Sequence, residues 1–155
     1  MTEIRNLLQH DLPHLKEVID SCNLFPSELL DDMLNDYLTN AQTNDIWLTL
    51  LVEQTPVGVL YCAPERMTEG TSNLYLIAVH NKIQGIGLGT QFMNYLENIL
   101  TLQAVRVLIV ETSGLEEFEQ TRRFYDKCNY HREAVIRDFY KEGESKVVFW
   151  KKLQP

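Results

Sequence analysis

Leu74-Tyr75-Leu76-Ile77-Ala78-Val79-His80-Asn81-Lys82-Ile83-Gln84-Gly85-Ile86-Gly87-Leu88-Gly89-Thr90 is the stretch on which the fold turns. Residues 74–79 are an almost unbroken apolar run, as expected of a strand covered on both faces and therefore central in its sheet. Leu88, Phe92, Met93, Leu96, Ile99 and Leu100 then follow helical spacing, and 105–110 is a second apolar strand. Strand, glycine loop, helix and strand make a βαβ-like unit whose two strands run parallel. Within the loop, Gly85, Gly87 and Gly89 remove Cβ atoms at alternate positions, where a ligand can approach the backbone. Free N–H groups at the helix start point toward any anion placed there, so a phosphate or pyrophosphate is the natural guest. A glycine-rich turn with no ligand is the alternative, because an isolated GxGxG is a weak signal.

Upstream of this unit, Glu3–Asn6 reads as a short strand, and Asp11 is placed to cap a helix with Pro13 in its first turn. Leu15, Val18, Ile19 and Cys22 give that helix one buried face. Ser27 is placed to cap a second helix, striped by Leu30, Met33, Leu34, Tyr37 and Leu38. From Ile46 the period changes, and 46–53 with 57–62 predicts a hairpin turning at Gln54-Thr55-Pro56. Downstream, a short helix over 119–127 precedes strands 134–140 and 146–151. The fold class is α/β: a mixed, mostly antiparallel sheet with a central parallel strand pair, flanked by helices. No repeat, linker or charge block marks a boundary, which predicts a single domain over 1–155.

The chain has 155 residues, with 14 Lys and Arg against 22 Asp and Glu, a net charge of −8 that repels polyanions and excludes nucleic acid as the expected partner. Three cysteines, Cys22, Cys62 and Cys128, lack CxxC spacing, so neither a disulfide framework nor a zinc knuckle is indicated and a reducing compartment fits. His10 and His14 have no third ligand and read as a solvated helix start, with no metal expected. Cys62, Cys128, Trp47 and Trp150 read as packing residues. No basic segment leads into an apolar run at the N-terminus, and the longest apolar stretches are only strand-length. A cytoplasmic protein without a membrane partner is expected.

Three phosphate-binding classes compete for the loop. A Walker loop needs GxxxxGK, and no Lys follows these glycines. A Rossmann site needs GxGxxG, but Thr90 stands where the third glycine belongs; Glu111, about 20 residues on, does imitate the ribose ligand and keeps a dinucleotide-binding enzyme as one alternative. In the third class, Val79 followed by Gln84-Gly85-Ile86-Gly87-Leu88-Gly89 resembles the Q/R-x-x-G-x-G/A acetyl-coenzyme A signature of the GNAT N-acetyltransferase superfamily. The element order matches that superfamily along essentially the whole chain, and Arg123-Phe124-Tyr125-Asp126-Lys127-Cys128-Asn129-Tyr130 looks like its late FY(E)xxGF helix motif.

The resemblance implies an N-acetyltransferase that uses acetyl-coenzyme A as co-substrate and transfers the acetyl group directly to a primary amine of a small molecule or peptide. It implies that the N–H groups from Gln84 through Gly85, Ile86, Gly87, Leu88 and Gly89 to Thr90 hold the pyrophosphate, that the two parallel strands splay, and that backbone groups of Ile77, Ala78 and Val79 bind the pantetheine arm. Tyr125 matches the family's general acid. The family's strand carboxylate is absent from 73–79, which leaves Glu111 as the candidate base, or as an acid bonded to loop N–H groups. Phe118 stands where the family often has a pantetheine-binding Asn, with Thr121 and Arg122 as replacement candidates. These two departures keep a second alternative, an acyl-coenzyme A binding module without efficient catalysis. In this fold, segments 23–28, 66–72 and 138–145 would choose the acceptor, and an exposed C-terminal strand offers a route to a homodimer.

Overall fold

Thr2–Asn6 (β1), Leu12–Cys22 (α1), Leu29–Thr39 (α2), Ile46–Val52 (β2), Thr55–Pro64 (β3), Thr71–Val79 (β4), Leu88–Leu102 (α3), Val107–Ser113 (β5), Glu119–Lys127 (α4), His131–Lys141 (β6) and Glu144–Lys152 (β7) follow one another in the computed structural model, which describes residues 1–154. The seven strands form one mixed sheet in the order β1-β2-β3-β4-β5-β7-β6. Among the described residues only β4 and β5 pair in parallel, Thr71–Leu74 against Val107–Val110, and that ladder ends at Leu74 and Val110. The chain divides into two compact units, Met1–Ala63 with Leu76–Leu96, and Pro64–Tyr75 with Glu97 onward.

The first unit is built on the α1 stripe. Leu15, Val18 and Ile19 are buried with Leu30 and Leu34 of α2 and with Trp47, Val59, Leu76 and Ala78 of the sheet. The α2 stripe is narrower than predicted, since Met33 and Leu38 remain 37% exposed. Neither predicted side-chain cap forms. Asp11 precedes α1, but its buried carboxylate turns back to accept the Leu8 N–H (2.9 Å), two Arg5 guanidinium N–H groups (2.7 and 2.8 Å) and the Thr49 hydroxyl (2.9 Å). The Arg5 pair offers this carboxylate stronger, charge-assisted bonds than a helix start does. Glu28, not Ser27, occupies the position before α2, and it makes no side-chain cap bond.

The hairpin turns one residue earlier than predicted. Glu53 and Gln54 both have positive φ, 49° and 70°, as a two-residue type I′ turn requires. Pro56 then lies inside β3, beside the register slip between Leu50 and Leu51, where its missing N–H is tolerated.

In the second unit β7 pairs on one side with β5 and on the other with β6. Phe149 of β7 is fully buried against Tyr125 of α4. Glu97 accepts the Tyr130 hydroxyl (2.6 Å) on one oxygen and the Lys151 ammonium (2.9 Å) on the other, which fastens the end of α4 to the body of α3. β5 starts later and ends later than predicted, so Glu111 lies within the strand, opposite Val148, and not at its end. Trp47 is fully buried, but Trp150 is only half-buried.

Candidate active site

The loop after β4 takes its shape from side chains behind it. A Cβ on Gly58 would stand 3.1 Å from the Ala78 carbonyl, and the His80 N–H donates to the Val57 carbonyl (2.8 Å), so residues 78 and 80 turn their peptide groups toward β3. Strand alternation then turns the N–H and C=O groups of Ile77 and Val79 to the opposite edge of β4. There the Val79 carbonyl accepts the Gln84 side-chain amide (2.8 Å) and the Cys22 thiol (3.3 Å). Gln84 therefore folds back on its own strand. The Ser21 hydroxyl accepts the Asn81 N–H (3.1 Å), and His80 Nδ1 accepts the Lys82 N–H (3.2 Å). Ser21 and Cys22 were legible only as the tail of the α1 stripe, because no local pattern says that a helix end will reach a loop sixty residues away.

Beyond Gln84, Gly85 and Gly87 have φ of +82° and +89°, a region open to glycine and strained for other residues. A Cβ at either position would meet nothing within 4 Å, so the protein leaves open space over both peptide planes. The first bond of α3 runs from the Gln91 N–H to the Gly87 carbonyl (3.1 Å), and the N–H groups of Leu88, Gly89 and Thr90 have no partner within the helix. Partial positive charge collects at that terminus. The buried Leu88 side chain pins the helix start, while Ile86 is 68% exposed. Bare glycines, open space and unpaired N–H donors in one turn fit a pyrophosphate.

The second unit holds the two residues nominated for proton transfer. Tyr125 is buried, its ring 5.3 Å from those of Phe124 and Phe149 and 6.0 Å from that of Tyr130. Burial, with the neighbouring Cys128 thiol, pushes its phenol above the ordinary value, so it stays protonated and able to donate. Buried Arg122 fixes the start of α4 by donating from Nη1 to the carbonyls of Ser113 (2.7 Å) and Leu115 (2.8 Å). Glu111 pairs through Oε2 with the Lys146 ammonium at 2.9 Å, and that ammonium also lies 3.8 Å from the centre of the Phe139 ring. The expectation that Glu111 bonds loop N–H groups gives way to this ion pair. Tyr140 is raised by burial and then by the charges of Glu111 and Glu144, which places it in the same field. Lys146 and Phe139 carried no sequence signal, since the register that brings them to Glu111 is set between strands distant in sequence.

Residues 1–130 match the Acetyltransferase (GNAT) family. The chain belongs to that family. No curated protein matches it. Among solved structures, it is similar to a protein described as a GNAT-family acetyltransferase from Desulfovibrio desulfuricans, with a TM-score of 0.92, 26% identity and 99% of this chain covering 100% of that one. It shares its fold with the ribosomal-protein-S18-alanine N-acetyltransferase of Escherichia coli (TM-score 0.79, 17% identity, 100% and 96% covered). The same holds for an aminoglycoside 6′-N-acetyltransferase complexed with coenzyme A (TM-score 0.82, 14% identity, 99% and 98% covered).

This GNAT protein is thus an acyltransferase, and the dinucleotide-binding alternative falls away. Of the two residues nominated to replace the family's Asn, Arg122 is committed to the carbonyls of Ser113 and Leu115, and Thr121 is exposed on α4. Phe118 is half-buried just before that helix. Burial raises the Cys62 thiol to about 12, which makes it inert as a nucleophile. Among the described residues no cluster of His, Cys, Asp or Glu could hold a metal ion, and no helix is long and apolar enough to cross a membrane.

Proposed function

We propose that this GNAT acetyltransferase moves the acetyl group of acetyl-coenzyme A directly to a primary amine of a small-molecule or peptide acceptor. The observation that carries the proposal is the loop from Gln84 to Thr90: two left-handed glycines with open space above them, followed by three N–H donors without intrahelical partners. In this reading the N–H groups of Gly85, Ile86, Gly87, Leu88, Gly89 and Thr90 hold the pyrophosphate. Gln84 contributes by bracing the Val79 carbonyl. The peptide groups of Ile77 and the N–H of Val79, which face away from β3 and lie past the end of the β4–β5 ladder, are better suited to the pantetheine amides than Ala78, whose carbonyl faces β3, or the Val79 carbonyl, which is held by Gln84 and Cys22.

Transfer forms a C–N bond and breaks a C–S bond. Tyr125 donates its phenolic proton to the departing sulfur, and its raised pKa ensures that the proton is present. Glu111 takes the proton that the amine loses, directly or through a water; with Oε2 engaged by Lys146, Oε1 is the accepting atom. Glu111 then releases its proton to solvent and Tyr125 regains one from solvent, so the protein ends as it began. A net charge of −8 favours a cationic amine as acceptor. Three cysteines in the thiol form fit a cytoplasmic enzyme. The test is release of free thiol from acetyl-coenzyme A against a panel of aminoglycosides, polyamines and peptides with free N-termini. Acetylation of at least one amine is expected, and binding of coenzyme without turnover on any amine would reduce the protein to a coenzyme-binding module.

A further inference from the structure

Glu111 is only half-buried, so its side chain can turn unless something holds it. The holder is the Lys146 ammonium, which donates to Oε2 at 2.9 Å. The β5–β7 register sets Lys146 opposite Ser113 and Val148 opposite Glu111, and alternation along both strands puts Lys146 and Glu111 on one face of the sheet, with Val110 and Phe149 on the other. The same ammonium stands 3.8 Å from the centre of the Phe139 ring, a cation–π contact. Phe139 reaches it through irregular backbone: β6 loses register with β7 between Ile136 and Lys141, Asp138 has a φ of +54°, and the Asp138 carboxylate accepts the Gly143 N–H at 2.9 Å. Irregularities of this kind re-aim side chains.

Stability alone does not account for this arrangement. Lys146 is buried, and taking an ammonium and a carboxylate out of water costs about as much as their attraction returns, so an apolar pair of similar volume would serve the sheet as well. What the ion pair supplies is orientation. A general base has to sit within about 2.6 to 3.2 Å of the proton it takes, and a charge-assisted bond to one carboxylate oxygen fixes the group while leaving the other oxygen for the substrate. A lysine stem is itself flexible, and the Phe139 ring is what removes that freedom.

We propose that Lys146 is a positioning residue of the transfer reaction: its ammonium, clamped by Phe139, turns Glu111 so that Oε1 meets the acceptor amine. The inference rests on Glu111 as the base. Initial rates on the full chain, with the acetylated acceptor counted by mass spectrometry, test it. Lys146→Ala should lower kcat by about 10- to 100-fold, the range for a displaced catalytic group, with the affinity for coenzyme A unchanged. Ethylammonium should restore part of that loss in a saturable way, because a short alkylammonium fits the space of the missing stem and can again bond Glu111. Lys146→Met should be as slow and beyond rescue, since its stem fills that space without the charge. Phe139→Leu, at a half-exposed position where the fold should persist, should lower kcat several-fold. Glu111→Gln separates the two readings: wild-type turnover in that variant, or no turnover on any amine by the wild type, removes Glu111 as the base and this inference with it. A slow Glu111→Gln beside wild-type rates in Lys146→Met and Phe139→Leu removes Lys146 alone, whether or not Lys146→Ala folds. A folded Lys146→Ala that is slow and not restored by ethylammonium would also overturn the proposal and leave the lysine a structural partner of Glu111.

Discussion

Tyr125 is held by three aromatic neighbours, so Tyr125→Phe removes one oxygen and keeps the packing. Coenzyme affinity and Tm should be unchanged while kcat falls by about 10²-fold, the low end for a general acid, because a thiol with an ordinary pKa near ~8.5 is already a fair leaving group. Wild-type turnover in that variant would make Tyr125 a packing residue. Asp11 makes a different case, since its role is stability. Burial alone would raise this carboxyl, but the Arg5 guanidinium, the Leu8 N–H and the Thr49 hydroxyl outweigh it and hold it at about 2. The folded value lies below the unfolded one of about 3.9, so the stabilisation is complete above about pH 4 and is lost as pH falls toward 2. It is worth about 2 to 3 kcal/mol. Asp11→Ala should cost about 3 kcal/mol at pH 7 and flatten the acid limb of stability between pH 4 and 2, measured by urea unfolding. An unchanged acid limb would remove Asp11 as its source.

The β4–α3 loop is the element on which coenzyme binding rests. Gly87→Glu should abolish that binding, because a carboxylate would enter the space left for an anion, and it should lower stability only by the backbone strain of a side chain at φ +89°, about 1 to 2 kcal/mol. Titration calorimetry with coenzyme A checks it, and unchanged affinity in a folded variant would remove the loop from the account. The loop's place and its glycines were legible because strand, turn and helix each leave a periodic or steric mark in contiguous residues. Its bracing was not, since Ser21, Cys22 and Gln84 meet only through α1. The hairpin shows the same limit on a smaller scale: Pro56 signals a turn, but the type I′ geometry settles on Glu53-Gln54, and the proline moves to a register slip.

For the molecule as a ligand-binding body, coenzyme A and acetyl-coenzyme A should each raise Tm, and NAD and ATP should do so much less. The loop presents N–H donors for a pyrophosphate but lacks the Walker lysine and the third Rossmann glycine. At a hundredfold excess over Kd the stabilisation is about 2.7 kcal/mol, large enough for a thermal-shift assay. Stronger stabilisation by NAD than by coenzyme A would overturn the coenzyme assignment.

The apolar run at 74–79, the glycines at 85, 87 and 89 and the α3 stripe were sufficient for the parallel strand pair and the α/β class, because they are local and their periods differ; the family came from resemblance and also needed the element order and the motif at 123–130. The Phe124-Tyr125 motif likewise placed a helix over 119–127, and α4 occupies those residues. What could not be read there is whatever depends on pairing between distant strands. The β5–β7 register sets Glu111 opposite Val148, two residues from the Lys146 that neutralises it. The folding back of 1–11 turns Asp11 from a helix cap into the centre of a buried ion pair. The strand order leaves β6 at the edge of the sheet and exposed along its whole length, a position its own residues do not fix. Propensity and periodicity act through neighbours in the chain, whereas ion pairs, burial and open edges depend on which segments meet in space, and only tertiary packing decides that.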